Sequence, residues 1–177
     1  MNKTTRAVIA LILLLAFIGW LFMTVIPLGS KRPSPGGDGA GETGTTYEPK
    51  FRDEGDLVLV SGEGDRVKTI DIELANTPEK IQYGMMYRKS MEEDEGMLFF
   101  MGEERPQSFW MKNTYVSLDI LFINSAGEVV SIQKNAEPLS EKSLPSEGNA
   151  SMVLEVKGGF SDRYGLKKGD RIYYHEQ

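Results

Sequence analysis

No cysteine occurs anywhere in the 177 residues, and histidine occurs once, at His175. The first absence excludes disulfides, thiolate metal sites, iron–sulfur clusters, a cysteine nucleophile and a lipid-modified cysteine. The second argues against Ser-His-Asp chemistry and against metal sites built from several imidazoles. Gly-x-Ser-x-Gly and His-Glu-x-x-His are absent, and no glycine-rich loop joins a strand to a helix in the dinucleotide-binding pattern. We therefore expect no cofactor and no metal. Basic charge is also short: 20 Lys and Arg against 26 Asp and Glu give a net charge of −6, which argues against a nucleic-acid partner.

The chain divides into three zones. In residues 1–26, Lys3 and Arg6 precede a run from Ala7 to Ile26 with no charge. As a helix that run spans roughly 30 Å, the thickness of a bilayer core. A cleaved signal has a shorter apolar core, about 7–15 residues, and a small-x-small exit; Pro27-Leu28-Gly29-Ser30 is a poor one. We expect a single-pass membrane anchor with a short cytoplasmic N-terminus and the domain on the extracytoplasmic side, although Lys31 and Arg32 flank the other end. Secretion after signal cleavage is the alternative. Residues 27–56 hold seven Gly and four Pro, with Leu28, Tyr47 and Phe51 the only sizeable apolar groups. So little apolar surface cannot offset the entropy of ordering, which predicts a flexible linker. Residues 57–177 are long enough to bury a core. Beyond Ile26 the chain carries 18 basic and 26 acidic residues, a net −8, unsuited to lying flat on an anionic bilayer.

Short apolar runs of period two dominate the third zone. Residues 57–60 read as a strand. Residues 67–75 alternate, with Ile70, Ile72 and Leu74 on one face and Asp71 and Glu73 on the other. Thr77, Pro78 and Glu79 then open a helix as N-cap, first-turn proline and dipole-favourable acid. We expect that helix to reach about Arg88, with Gly84 in its middle marking close backbone packing. Residues 97–101, 108–114 and 118–123 are strand-like, and residues 124–127 form a hairpin turn into 128–134. A polar loop is expected over 135–149, then a strand over 152–156, a short helix over 160–164 stopped by Gly165, and a last strand over 171–175. The fold class is mainly β: a small, closed or nearly closed β-barrel of seven or eight strands with one or two short helices.

Chemistry-bearing residues interrupt these apolar strands. In Phe109-Trp110-Met111-Lys112-Asn113-Thr114, read as a strand, Trp110, Lys112 and Thr114 share one face. An ammonium among apolar neighbours needs a carboxylate or a wet cleft. Asp119, Glu73 and Glu155 are the candidate carboxylates, and Lys112 with Asp119 beside Trp110 would make a polar pocket. A structural ion pair, with Asn113 and Thr114 holding a turn through side-chain to backbone bonds, is the other reading. Arg88 either complements the helix C-terminus or faces the pocket as an anion-binding fork. Met85, Met86, Met91, Met97, Met101 and Met111 crowd 27 residues. Thioethers can hold Cu(I), but no repeated Met-x-x-Met spacing occurs, and methionine commonly fills irregular cores.

The order Glu73-Leu74-Ala75-Asn76-Thr77-Pro78, Gly84-Met85-Met86-Tyr87-Arg88, Gly96-Met97-Leu98-Phe99-Phe100, Phe109-Trp110-Met111-Lys112-Asn113-Thr114, Leu118-Asp119-Ile120, Val153-Leu154-Glu155-Val156 and Gly169-Asp170 resembles the family called domain of unknown function 192. The resemblance spans about residues 69–174. Met85 stands where that family usually has Leu, and Val116-Ser117 where it often has Ile-Pro. The resemblance implies a small, mostly β, barrel-like domain, often exported behind a signal or anchor, and implies no activity. Its motif positions fall on Arg88, Trp110, Lys112, Asn113, Thr114 and Asp119.

Three functional classes stay open. The leading expectation is a non-catalytic, membrane-tethered binding module of the cell envelope, taking a small saccharide, peptide or envelope-polymer ligand at Arg88, Trp110, Lys112, Asn113, Thr114, Asp119, Glu73 and Glu155. A hydrolase or transferase acting on envelope polymer would use Lys112 as base or charge stabiliser, with Asp119 or Glu73 as its partner. An assembly factor would meet another envelope protein through strand edges or the loop over 135–149.

Overall fold

The structure is a computed structural model that describes residues 48–177. The apolar segment 1–26 and most of the expected linker lie outside the described residues. Among the described residues no helix is long and apolar enough to cross a membrane.

Seven strands form one curled sheet. They are β1 (Gly55–Val60), β2 (Arg66–Ala75), β3 (Glu95–Phe109), β4 (Leu118–Ile123), β5 (Val129–Ala136), β6 (Leu144–Lys157) and β7 (Arg171–Glu176); helix α1 (Pro78–Tyr83) follows β2, and α2 (Phe160–Arg163) follows β6. The order across the sheet is β5-β4-β6-β3-β2-β1-β7. All pairings are antiparallel except β2 with β3. A parallel pair needs a crossover, and α1 with the turns around it supplies one. The result is mainly β, as expected, with the sheet curled into a half-barrel where a closed or nearly closed barrel was expected. Its two edge strands meet only at one corner, through a Glu128–Arg171 bridge and the Val129 N–H to Asp170 carbonyl bond of 2.8 Å.

Alternation along the strands sends side chains to two cores. Ile70, Ile72 and Leu74 of β2 face inward as the sequence predicts, joining Leu57, Leu98, Leu121, Leu154 and Phe160 inside the curl. The outer face of β3, β6 and β4 is apolar too: Met97, Phe99, Val153, Ile120 and Phe122 pack against Met85, Met91 and Met111 from the connections. Four of the six crowded methionines are thus buried in this second core, filling the irregular space between sheet and loops.

Several local expectations change. Residues 48–54, placed in the linker by composition, are held on the domain. The Arg52 N–H donates to Glu73 Oε1 at 2.9 Å, the Lys89 N–H to Glu48 Oε1 at 2.9 Å, and Glu54 accepts from the Leu74 N–H at 2.8 Å. Polar side chains, which a hydrophobicity reading discounts, do this work. Helix α1 starts where Thr77 and Pro78 place it but stops at Tyr83, because Gly84 adopts φ 47° and ψ −129°, outside any helix. A Cβ at Gly84 would lie 3.1 Å from Phe99 Cζ, so close packing there is confirmed, at the helix end rather than its middle. The expected loop over 135–149 is shorter, since β6 begins at Leu144. The block after Phe109 is a turn, not a strand: the Thr114 N–H donates to the Met111 carbonyl at 3.1 Å and Asn113 sits at φ 55°.

Asp119 is a structural residue. Fully buried on β4, it accepts from the N–H groups of Asn135 at 2.7 Å, Gly159 at 3.1 Å and Ser161 at 2.7 Å. One carboxylate thus satisfies the orphan donors at the start of α2 and ties β4 to the end of β5. Asp119→Asn keeps an acceptor but loses the charge and one oxygen. We expect it to lower unfolding free energy by about 1–2 kcal/mol in denaturant titrations.

Candidate functional site

Register builds the floor of a cleft on the outer face of the sheet. Glu73 on β2 pairs with Met97 on β3; Met97 pairs with Glu155 on β6; Glu155 pairs with Ile120 on β4. Residues directly opposite in a sheet point to the same side. The row Glu73–Met97–Glu155–Ile120 therefore places two carboxylates on one apolar face, with a thioether between them.

Arg88 descends onto this row from the turn after α1. Its Nη2 lies 2.7 and 2.8 Å from the two oxygens of Glu73, with both side chains almost fully buried. The expected capping role for Arg88 is therefore replaced by the pocket-facing one, and the anion it grips belongs to the protein itself. Two buried atoms of this floor have no hydrogen-bond partner among the described residues, Arg88 Nε and Glu155 Oε2. Burial pushes the Glu155 carboxyl up to about 8, against the pull of the Arg88 guanidinium. Desolvation of the charged form prevails over the attraction, so near neutral pH Glu155 is mostly an uncharged hydrogen-bond donor.

The cleft above Glu73 and Arg88 has a volume of about 490 Å³ and is walled by Pro49, Arg52, Lys80, Tyr83, Gly84, Met86, Tyr87 and Met97, among others. Beyond Gly84 lies a smaller recess of about 40 Å³, lined by Ile81, Tyr83, Met85, Met86, Phe99, Phe109, Trp110, Thr114 and Glu155. Tyr83, Gly84 and Met86 belong to both linings, so the two spaces adjoin. Exposed aromatics rim them: Tyr83 is 58% exposed, Trp110 47% and Tyr87 39%.

The wall carries backbone strain. Tyr87 and Asn113 both have positive φ, at 67° and 55°, a region costly for side chains other than glycine and least so for asparagine. They brace one another: the Tyr87 N–H donates to the Asn113 carbonyl at 2.8 Å and Asn113 Nδ2 to Tyr87 Oη at 3.0 Å. Thr114 is buried and its hydroxyl donates to the Lys112 carbonyl at 3.3 Å.

Of the residues singled out from sequence, the structure brings Glu73, Arg88 and Glu155 together at the floor. It sets Trp110 and Thr114 beside Glu155 in the recess and makes Asn113 a brace for Tyr87. Lys112 and Asp119 do not form the expected pair. The Lys112 ammonium lies 5.0 Å from the Trp110 ring centroid and 3.7 Å from Glu141 on a half-exposed side chain, while Asp119 is held by its three backbone donors. The turn at Asn113 sends them different ways. Sequence reasoning missed Tyr83, Tyr87, Met86, Pro49 and Arg52. The one available signal was Tyr83 and Tyr87 flanking Gly84.

A half-barrel with an aromatic-rimmed cleft over a buried Arg–carboxylate floor defines the class: a small, mainly β domain. The chain belongs to the domain of unknown function 192 family (DUF192, Uncharacterized ACR), which it matches over residues 58–174. Two solved structures are similar. One, from Sinorhizobium meliloti 1021 and described provisionally as a transcription regulator, shares 39% identity at a TM-score of 0.67, over 72% of this chain and 98% of that one. The other, a protein of unknown function from Novosphingobium aromaticivorans DSM 12444, shares 35% identity at a TM-score of 0.63, over 67% of this chain and 83% of that one. No curated protein matches the chain.

Proposed function

We propose that the chain is a non-catalytic binding module of the cell envelope, tethered to the outer face of a membrane by residues 1–26, which takes a small saccharide, peptide or envelope-polymer fragment into the cleft beside α1. The observation that carries this is the cleft: about 490 Å³, within the usual range for small-molecule sites, rimmed by exposed Tyr83 and Tyr87 and floored by Arg88 and Glu73, with Trp110 and Glu155 lining the recess that adjoins it. Aromatic faces offer stacking surface at low entropic cost. The tether rests on the uncharged run after Arg6.

Catalysis draws less support. Lys112, the base of a hydrolytic reading, is engaged with Trp110 and Glu141 on the surface, and both oxygens of Glu73 are taken by Arg88. The test is saturation-transfer NMR on the full-length chain with three probes: tri-N-acetylchitotriose, cellotriose and trialanine. At least one should bind. Tyr83→Ala, an exposed change that should shift stability by no more than about 0.5 kcal/mol, should weaken that probe about five- to tenfold. Failure of all three probes to bind rejects the reading.

A further inference from the structure

We propose that the recess beside Glu155 seats an acetamido group, so that the cleft selects N-acetylated amino sugars over unsubstituted ones. This rests on the binding reading above and narrows it to one ligand class.

Size is the first ground. A recess of about 40 Å³ admits roughly three water-sized groups, since one such group needs about 10–15 Å³. A sugar ring is too large for it, and a lone hydroxyl leaves most of its wall untouched. An acetamido group places three heavy atoms, the carbonyl carbon, its oxygen and the methyl, beyond the nitrogen that joins it to the ring, and that nitrogen sits at the mouth. The adjoining cleft of about 490 Å³ has room for the rings that carry it.

Wall chemistry is the second ground. Met85, Phe99 and Phe109 present apolar surface suited to a methyl, and only Thr114 and Glu155 supply side-chain polar atoms other than the Tyr83 hydroxyl, the Gln82 amide and the rim indole. Glu155 Oε2 is buried with no partner, an arrangement that ordinarily costs stability. An incoming group that bonds it relieves that cost. Uncharged Glu155 donates its proton to the carbonyl oxygen of the acetamido group, and the Thr114 hydroxyl oxygen accepts from its N–H. A ligand carboxylate fits worse, because Arg88, the one buried cation among the described residues, is already neutralised by Glu73. The neighbours of Glu155 across the sheet, Met97 and Ile120, carry no charge; Arg88, and Glu73 through it, are the charged groups facing it. Trp110, half-exposed beside the recess, offers a platform for the sugar face.

Calorimetric titration of the full-length chain with tri-N-acetylchitotriose and cellotriose tests this. The expected result is tighter binding of the N-acetylated sugar by about tenfold or more, the scale of one neutral hydrogen bond plus one buried methyl. Glu155→Leu, checked for folding by thermal melting, should remove that preference, bringing the affinity for tri-N-acetylchitotriose down to that for cellotriose. Trp110→Ala should weaken both. Equal affinity for the two sugars, or a preference untouched by Glu155→Leu, overturns the acetamido assignment while the binding reading stands. Binding of trialanine with neither sugar also overturns it. Silence from all three probes sinks the assignment and the binding reading together.

Discussion

Arg88→Met should cost about 3–5 kcal/mol of unfolding free energy, the usual penalty for removing one member of a buried ion pair. The reasoning lies in what is left behind. Glu73 is 4% exposed and would keep only the Arg52 N–H at 2.9 Å as a hydrogen-bond donor. Its charge would then sit on an apolar face beside Met97 and near Glu155, with nothing to balance it. Methionine fills much of the volume of the arginine stem, so the loss reports the uncompensated carboxylate rather than a cavity. The control is the double variant Arg88→Met with Glu73→Gln, which removes both charges. Replacing a buried pair by neutral groups of similar size is often near neutral, so the double variant should recover most of the loss. Urea titrations of the four proteins give the coupling directly. If the single variant loses under about 1 kcal/mol, the pair is not the floor described here. If the double variant is as unstable as the single one, the penalty comes from packing instead.

That pair shows where sequence reading succeeds and where it stops. Glu73, Arg88 and Glu155 were each conspicuous, because a charge that breaks an apolar strand or ends a helix needs a reason. Their meeting was not legible. It depends on β2 lying parallel to β3, which puts Glu73 opposite Met97, and on β6 lying antiparallel to β3, which puts Glu155 opposite the same methionine. Neither pairing is encoded within ten residues of either glutamate. Local signals fared better: Thr77 and Pro78 start α1, and Asn124 accepts at 2.9 and 3.0 Å from N–H groups in the turn before β5. The Lys112–Asp119 expectation failed for the opposite reason. It assumed an extended chain through residue 114, and period-two reasoning cannot see that Asn113 will take a left-handed conformation and end the strand. Asn is among the residues that tolerate this, but the motif alone does not say that it has done so here.

Glu155→Gln should change the pH dependence of stability more than stability itself at low pH. In the folded protein burial raises this carboxyl to about 8, from an ordinary value of 4.5. Between those values the folded state keeps a proton that the unfolded chain has released, so folding is progressively penalised as pH rises. The favourable contribution is complete below about pH 4.5, declines through the window from about 4.5 to 8, and is gone above it. At 1.36 kcal/mol per unit, the loss across the window is on the order of 5 kcal/mol. Glutamine has nearly the same shape and no titration, so the variant should match the parent below about pH 4 and exceed it by that amount near pH 9. Subtracting the two stability curves cancels every other group's contribution, because both proteins carry them. A parent curve that parallels the variant throughout would mean Glu155 is ionised in the fold, and the proton it offers an acetamido carbonyl would not exist. A difference that opens through the window ties the recess chemistry to a measurable charge state. It also predicts that affinity for tri-N-acetylchitotriose falls above pH 8 in the parent and stays level in Glu155→Gln, whose amide remains a donor at every pH.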